Sequence, residues 1–218
     1  MSEFQIRLYR PEDRPSVRRI CAQTAWLGEP APERIIDEWV WSEFWTRYFT
    51  DGEPEHVWVA ERGADATVVG YLTGTVDARR CDRYFPRLLP GLARRAVGQR
   101  LFRRETSRHA MFGLLRSMLR GELSVPRSVR KTHPATLHMN LLACARGHGL
   151  GRSLFECYRG RMRQLGVRGV HAQTLSVNAR IADFNRAAGF RLVQSRELTA
   201  YRRFDPTPIA VQTWTLDL

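Results

Sequence analysis

The spacing of hydrophobic residues changes repeatedly along this chain, which indicates a mixture of strands and helices. Near the N-terminus Phe4, Ile6 and Leu8 alternate with polar residues, so this stretch predicts a strand. The predicted order is a strand at 4–8, helices at about 15–25 and 32–48, strands at 56–61 and 68–76, a strand at 136–142, a helix ending at Leu165, a strand at 170–174, a helix at 178–188, and strands near 190–203 and 209–216.

The regular pattern stops between residues 77 and 131. Two or more helices are predicted there, one of them at 99–120, with breaks at Pro86, Pro90 and Gly98. In helix 99–120 an apolar face and many arginines predict a basic amphipathic helix, with Leu101, Phe112, Leu115 and Leu119 on the apolar face. We therefore expect one domain over residues 1–218, with a basic helical insertion at about 77–131.

Most of the positive charge lies in this same stretch. From Arg79 to Lys131 there are fifteen basic and three acidic residues, which account for +12 of the net +13. Lys131 is the only lysine, so biased composition explains part of the arginine content. A solvated arginine face, a cover for an acidic acceptor, and contact with an anionic surface or a nucleic acid all stay open.

Composition excludes several classes of protein. The apolar fraction of 43% suffices for a folded core, and no apolar run is long enough to span a membrane. No signal peptide is visible, so a cytoplasmic location is expected. The four cysteines, which show no metal-ligand spacing, are expected to be free and mostly buried: Cys21, Cys81, Cys144 and Cys157.

The most informative stretch joins a predicted strand to an amphipathic helix. Three alternating glycines lie between them, at Gly147, Gly149 and Gly151. The first backbone N–H groups of a helix lack intrahelical partners and stand at its positive end, so they bind phosphate well. Glycines keep side chains away from the ligand and permit positive φ. The pattern predicts a phosphate-binding loop; a turn that serves packing alone is the alternative.

Two common phosphate loops do not fit. A P-loop requires lysine before Ser153, where this chain has Arg152, and a Rossmann motif requires an acidic residue where His171 stands. The spacing Arg146-x-x-Gly149-x-Gly151 instead resembles the (Arg/Gln)-x-x-Gly-x-Gly/Ala motif of the GNAT acyltransferase superfamily.

A second segment extends the resemblance. Residues 178–190 begin with Asn178 and end with Gly189-Phe190, as the segment after the next strand does in that superfamily. The resemblance implies an α/β fold with a mixed, largely antiparallel twisted sheet flanked by helices. It also implies an acetyl-CoA-dependent N-acetyltransferase without a metal, acting on an amine acceptor that the sequence does not name.

The resemblance also implies a coenzyme site. The pantetheine arm would pair with backbone near Leu141 and Leu142, where an N–H would polarise the thioester carbonyl. Asn178 would bond the pantetheine or phosphate portion, beside Phe184. The pyrophosphate would lie against the loop residues Arg146, Gly147, His148, Gly149, Leu150, Gly151 and Arg152.

Residues on the strand before the loop and in the second segment are candidates for catalysis. His138 could serve as a base, and the alternative, which the residue type favours slightly, is a partly buried strand histidine with a satisfied hydrogen bond. Asn140, where similar proteins often carry a carboxylate, would hold the acceptor or a water. Asn185 stands where the superfamily usually has a tyrosine that protonates the leaving thiolate, and Tyr201 or Tyr158 could replace that acid.

An aromatic group predicts either an acceptor pocket or ordinary core packing. It comprises Trp26, Trp39, Trp41, Trp45 and Tyr48. Three functions remain: an amine N-acetyltransferase, an acyl-CoA-binding module with little catalysis, and a nucleic-acid- or membrane-associated protein. A homodimer stays open as well.

Overall fold

A computed structural model describes residues 3–30, 37–63, 65–103, 105–200, 202 and 207–218, without the side chains of Phe102 and Thr106. Seven strands and seven α-helices lie in these residues. The strands are β1 (Phe4–Leu8), β2 (Val57–Arg62), β3 (Thr67–Thr75), β4 (Ala135–Leu141), β5 (Gly169–Leu175), β6 (Arg191–Glu197) and β7 (Ala210–Asp217). The helices are α1 (Arg14–Gln23), α2 (Glu38–Gly52), α3 (Ala78–Gly98), α4 (Glu105–Leu119), α5 (Arg127–Thr132), α6 (Leu150–Gln164) and α7 (Ala179–Ala187).

The seven strands form one sheet in the order β1-β2-β3-β4-β5-β7-β6. β4 and β5 are parallel, and the other neighbouring strands are antiparallel. The predicted mixed, largely antiparallel sheet is therefore confirmed. All predicted strands are present within one or two residues, except that β6 ends at Glu197 rather than near residue 203.

Alternation along the central strands separates two apolar layers. On one side Tyr71 of β3 packs with Ile20 of α1. On the other side Leu72 packs with Leu154 and Tyr158 of α6. Side chains of a strand point to opposite faces in turn, so adjacent residues of β3 join different layers. The sheet is covered on both faces, and its central strands are held from both sides.

The stretch 77–131, called the basic segment below, contains α3, α4 and α5. One helix, α3, runs through Pro86 and Pro90, so the breaks predicted there are wrong. Proline removes a helical donor, but Asp82 and Pro86, whose carbonyls lose their partners, lie on the exposed side of α3 where water can bond them. The helix predicted at 99–120 is also interrupted, by a short 3-10 turn at Leu101–Arg103.

Three smaller predictions also change. The helix predicted to end at Leu165 ends at Gln164, and Leu165 is its exposed C-cap residue. Cys144 and Cys157 are exposed, so the cysteines are free but only half of them are covered. The second helix begins at Glu38, and its predicted start near Pro32 lies outside the described residues. The assignment of 1–218 to one domain with an insertion stays a prediction.

Candidate functional site

The middle of the sheet holds a gap between two neighbouring strands. β4 and β5 each contain seven residues, yet they pair only at Ala135–Val170 and Thr136–His171. Past Thr136 they diverge, while β4 keeps its pairing with β3 and β5 keeps its pairing with β7. The divergence, called the splay below, leaves backbone groups on both inner edges available to a ligand.

The direction of the backbone N–H groups on β4 decides which of them face the splay. The Leu142 N–H donates to Val69 O of β3 at 2.9 Å. Successive N–H groups of a strand point to opposite edges, so those of Leu141 and Met139 point towards the splay. The Leu142 N–H is therefore already bonded within the sheet, whereas the N–H groups of Leu141 and Met139 face the splay.

The glycine loop, residues 146–151, presents a run of uncommitted amides. The Arg146 N–H donates to Ala143 O at 3.2 Å, and backbone bonding resumes where the Ser153 N–H donates to Gly149 O at 3.1 Å. Within the described part of the chain, no backbone bond engages the six amides of residues 147–152. They stand at the N-terminus of α6, where the helix dipole adds positive potential. This arrangement suits a phosphate or pyrophosphate.

Glycine suits the three loop positions for different physical reasons. Gly147 and Gly149 have φ of +82° and +76°, a region that favours glycine, and a Cβ on either would meet no protein atom within 4 Å. Gly151 needs no positive φ. A Cβ there would lie 3.6 Å from atoms of Leu141 and Met139 and 3.7 Å from Phe184. Gly151 therefore faces the mouth of the splay, where these three side chains converge.

The side chain of Arg146 is bonded within the protein. Its Nε donates to Leu141 O at 3.1 Å, and its guanidinium also bonds Gly28 O and the Glu29 carboxylate, the latter at 2.8 Å. These contacts tie the end of β4 to the turn after α1. The side chains of His148 and Arg152 are exposed, and His148 lies against Phe4 with ring centroids 4.9 Å apart.

His138 lies on β4 under an aromatic ring. The ring of Trp45 stacks on it with centroids 5.3 Å apart and planes inclined by 26°. Burial lowers the pKa of His138 to about 4, because desolvation disfavours the charged imidazolium. His138 is therefore neutral at pH 7 and a weaker base than an ordinary histidine.

A buried tyrosine connects the two polar residues of β4. The Tyr71 hydroxyl, across the β3–β4 ladder, accepts from Asn140 Nδ2 at 3.0 Å and lies 3.3 Å from His138 Nδ1. Tyr71 also hydrogen-bonds Cys21 of α1, whose thiol pKa burial raises to about 12. Asn140 and His138 are thus held by one hydroxyl, and Asn140 has one of its amide hydrogens committed.

The second predicted segment forms α7 and brings one of its residues to the splay. Asn178 caps this helix, since its Oδ1 accepts from the Ile181 N–H at 3.3 Å. Phe184 packs edge-to-face on Phe155 of α6, beside Gly151. Asn185 is 4% exposed, and its Nδ2 has no partner among the described residues.

Of the two tyrosines proposed as a replacement acid, the structure describes only Tyr158. The Tyr158 hydroxyl is fully buried and donates to Thr136 O at 3.1 Å. Tyr201 lies outside the described residues. Tyr158 therefore belongs to the core, as its position on the apolar face of α6 allowed.

The aromatic group divides between the core and a wall beside His138. Trp45 contacts Trp41 at 5.6 Å and Phe44 at 5.1 Å, and Phe44 meets Phe85 of α3 at 5.3 Å. Tyr48, by contrast, is buried, and its hydroxyl donates to Glu53. The guanidinium of Arg95 on α3 lies 5.7 Å from the centroid of the Trp39 ring. The basic segment therefore borders the aromatic wall through α3.

Among the residues that the structure describes, no group of three or more His, Cys, Asp or Glu could hold a metal ion. Within the same residues, no helix has the length and apolar character needed to cross a membrane.

The chain was compared with known protein families, curated sequences and solved structures. No protein-family profile and no curated protein sequence matches the chain. Among solved structures it is similar to one called SsHAT, with 27% identity over 99% of this chain and 98% of that chain and a TM-score of 0.71. It is also similar to yncA, a putative acetyltransferase from Salmonella typhimurium solved with acetyl-CoA, with 15% identity over 100% and 95% of the chains and a TM-score of 0.59.

An agmatine N-acetyltransferase is similar as well, with 19% identity over all of both chains and a TM-score of 0.63. The chain has the GNAT fold. The resemblance drawn from the glycine loop and residues 178–190 is confirmed at the level of the fold, and it extends over the whole length of these GNAT structures.

Within the GNAT fold, two residues of the site, Met139 and Tyr71, are not among those predicted from the sequence. Met139 was not named, although strand alternation from Leu141 would have indicated that both N–H groups share an edge. Tyr71 was not named because its role depends on the β3–β4 register, which places it opposite Asn140.

Proposed function

We propose that this chain is an N-acetyltransferase that moves an acetyl group from acetyl-CoA to the amine of an acceptor. One observation carries the proposal: six uncommitted amides at the start of α6 open onto a splay with free N–H groups on β4. The likeness to structures of acetyltransferases, one of them holding acetyl-CoA, supports it.

The coenzyme site uses backbone more than side chains. The amides of residues 147–152 take the pyrophosphate, and the dipole of α6 favours its negative charge. The N–H groups of Met139 and Leu141 pair with the pantetheine arm. Phe184 and the side chain of Leu141 enclose the arm at the point where Gly151 leaves room. Asn178 offers Nδ2, because its Oδ1 caps α7.

The chain contributes to transfer by holding the reacting groups and stabilising charge. A bound acetyl thioester supplies the activated carbonyl that an amine attacks. One of the two β4 N–H groups facing the splay donates to the oxygen on which charge develops. The amine nitrogen forms the new C–N bond, the C–S bond breaks with its electron pair leaving on sulfur, and the proton lost by the amine balances protonation of the CoA thiolate to the free thiol. Orientation by the splay supplies much of the rate.

The proton transfers are the weakest part of the site. His138 is neutral and accepts a proton poorly, since its pKa is about 4. Asn185 cannot act as an acid, and its Nδ2 lies inside the protein. This observation favours a second candidate function, acyl-CoA binding with slow transfer. The acceptor identity and the cytoplasmic location expected from the sequence stay predictions.

Turnover with a panel of amines separates the two functions. Purified protein is mixed with acetyl-CoA and one amine at a time, with release of free CoA thiol and the acetylated amine measured together. We expect thiol release that requires both an amine and the protein. Binding of acetyl-CoA without amine-dependent release for any amine would support the binding module and reject the enzyme.

The residue in the acid position gives a finer test. If Asn185 donates a hydrogen bond to the leaving sulfur, Asn185→Ala should lower kcat about tenfold, the worth of one such bond. Asn185→Tyr should leave kcat at the wild-type value or raise it, provided that the larger ring fits. Unchanged kcat in Asn185→Ala would show that this side chain only fills space.

A further inference from the structure

Helix α4 packs on the protein through its small residues and exposes its large apolar residues to solvent. Its large apolar residues point outwards: Phe112 is 57% exposed, Leu115 50%, Met118 43% and Leu119 81%. Its small residues point inwards. Ser107 and Ser117 are buried, and Gly113 lies so close to the β6–β7 connection that a Cβ would stand 2.6 Å from Ala200 O. The usual arrangement of a surface helix is the opposite.

Arginines share this outward surface. Arg108 and Arg116 stand at helical spacing from Phe112 and are exposed, and the structure gives neither an ion pair within the residues it describes. Together with Phe112, Leu115 and Leu119 they form one surface, called the apolar-basic face below. Exposed apolar side chains in such a cluster indicate a binding surface.

Charge limits what can cover this face. A second copy of the chain also carries +13, with +12 in the basic segment. A two-fold pairing of α4 centred on Phe112 would set Arg108 of one copy against Arg116 of the other, which costs energy. A nucleic acid would pair with the arginines but offers little to Leu115, Met118 and Leu119.

We propose that the apolar-basic face of α4 binds an anionic lipid surface. Such a surface supplies both partners at once, because headgroup phosphates lie above the acyl boundary. Arg108 and Arg116 bond the phosphates while Phe112 and Leu119 enter the boundary. Gly113 allows the tight seat on Ala200 that holds the face outwards. The proposal is independent of acetyl transfer, since the glycine loop is not part of this face.

Vesicle sedimentation tests the proposal. The full chain is mixed with phosphatidylcholine vesicles with or without roughly one-third phosphatidylglycerol. We expect binding to the anionic vesicles that weakens as salt is added, and little binding to pure phosphatidylcholine. The paired change Phe112→Ser and Leu119→Ser should lower the partition coefficient at least about tenfold. The paired change Arg108→Gln and Arg116→Gln should lower it as well.

Matched controls stand outside the basic segment. Leu192 and Val193 on β6 are 47% and 49% exposed, so Leu192→Ser with Val193→Ser should leave vesicle binding unchanged. Arg163 and Arg168 are exposed and serve as the charge control when changed to glutamine. These variants separate a local face from bulk hydrophobicity and net charge.

Four outcomes would overturn the proposal. The first is no binding to anionic vesicles, and the second is binding that the Phe112/Leu119 variant leaves intact, which would be charge alone. The third is a wild-type dimer, measured by light scattering, that this variant converts to monomer, which would make the face a self-interface. The fourth is DNA retention that this same variant abolishes, because the face would then serve a nucleic acid.

Discussion

Helices α6 and α4 each have fifteen residues, and in both the apolar residues recur at helical spacing. The apolar face is buried in α6 and exposed in α4. α6 buries Leu154, Phe155, Tyr158 and Met162 against the sheet and offers its N-terminus to the splay. α4 buries serines and exposes Phe112, Leu115 and Leu119. Periodicity tells which residues share a face of a helix, whereas the neighbours in the fold decide which face turns inwards. α6 is fixed by the sheet beneath it, and α4 is fixed by Gly113 on Ala200.

The largest effect should come from truncating one phenylalanine in each helix. Phe155→Ala should lower the free energy of unfolding by about 3–5 kcal/mol, because the ring is fully buried among aromatic neighbours. Phe112→Ala should change it by no more than about 0.5 kcal/mol. Chemical denaturation measures both. Similar losses of unfolding free energy in the two variants would mean that the Phe112 ring is packed against the protein. The contrast between α6 and α4 would then be wrong.

Acid should weaken the packing of β4 against α2 through His138, whose ring lies against Trp45. Its pKa is about 4 in the folded protein and about 6.5 in an ordinary setting. The unfolded chain therefore takes the proton first, so stability is complete above pH 6.5 and falls as the pH drops towards 4. The loss should reach about 3 kcal/mol at most. His138→Gln should show a flatter profile of unfolding free energy against pH, and an unchanged profile would exclude this cause.

The smallest expected effect is the change in stability when one glycine in each helix is replaced by alanine. The change should have opposite signs in the two helices. Gly113→Ala should cost about 1–3 kcal/mol, because the new methyl meets the Ala200 carbonyl. Gly160→Ala in α6 should stabilise by up to about 1 kcal/mol, since nothing lies within 4 Å of its Cβ position. Melting temperatures of the two variants give the signs. Stabilisation by both changes would mean that α4 is not seated on Ala200.

Local chemistry explains what the sequence could predict. The strand alternation at Phe4–Leu8, the glycines before α6 and the cap Asn178 before α7 are all read from neighbours in the chain. These features predict the secondary-structure elements and the position of the glycine loop. They also sufficed to indicate the GNAT fold, because that fold keeps its two motifs in a fixed order.

Long-range geometry explains what the sequence could not predict. The two-residue pairing of β4 with β5, the bonds of Arg146 to Gly28 and Glu29, and the meeting of Tyr71 with Asn140 all depend on register and tertiary contact. The pKa of His138 depends on the Trp45 ring above it. Helix α3 continues through Pro86 because the carbonyl groups that lose their partners face solvent. The positions of the prolines in the sequence do not reveal which side of the helix is exposed.

Titration of acetyl-CoA into two glycine variants of α6 tests the central claim most directly. Gly151 faces the mouth of the splay, whereas Gly160 lies in the same helix with open space around its Cβ position. In the proposed site, Gly151→Asp adds charge and bulk next to the pyrophosphate and pantetheine, so we expect acetyl-CoA binding to weaken at least about 100-fold, or ~2.7 kcal/mol. Gly160→Asp should bind like wild type. Equal affinity in all three folded proteins would contradict the assignment of the glycine loop and splay as the coenzyme site.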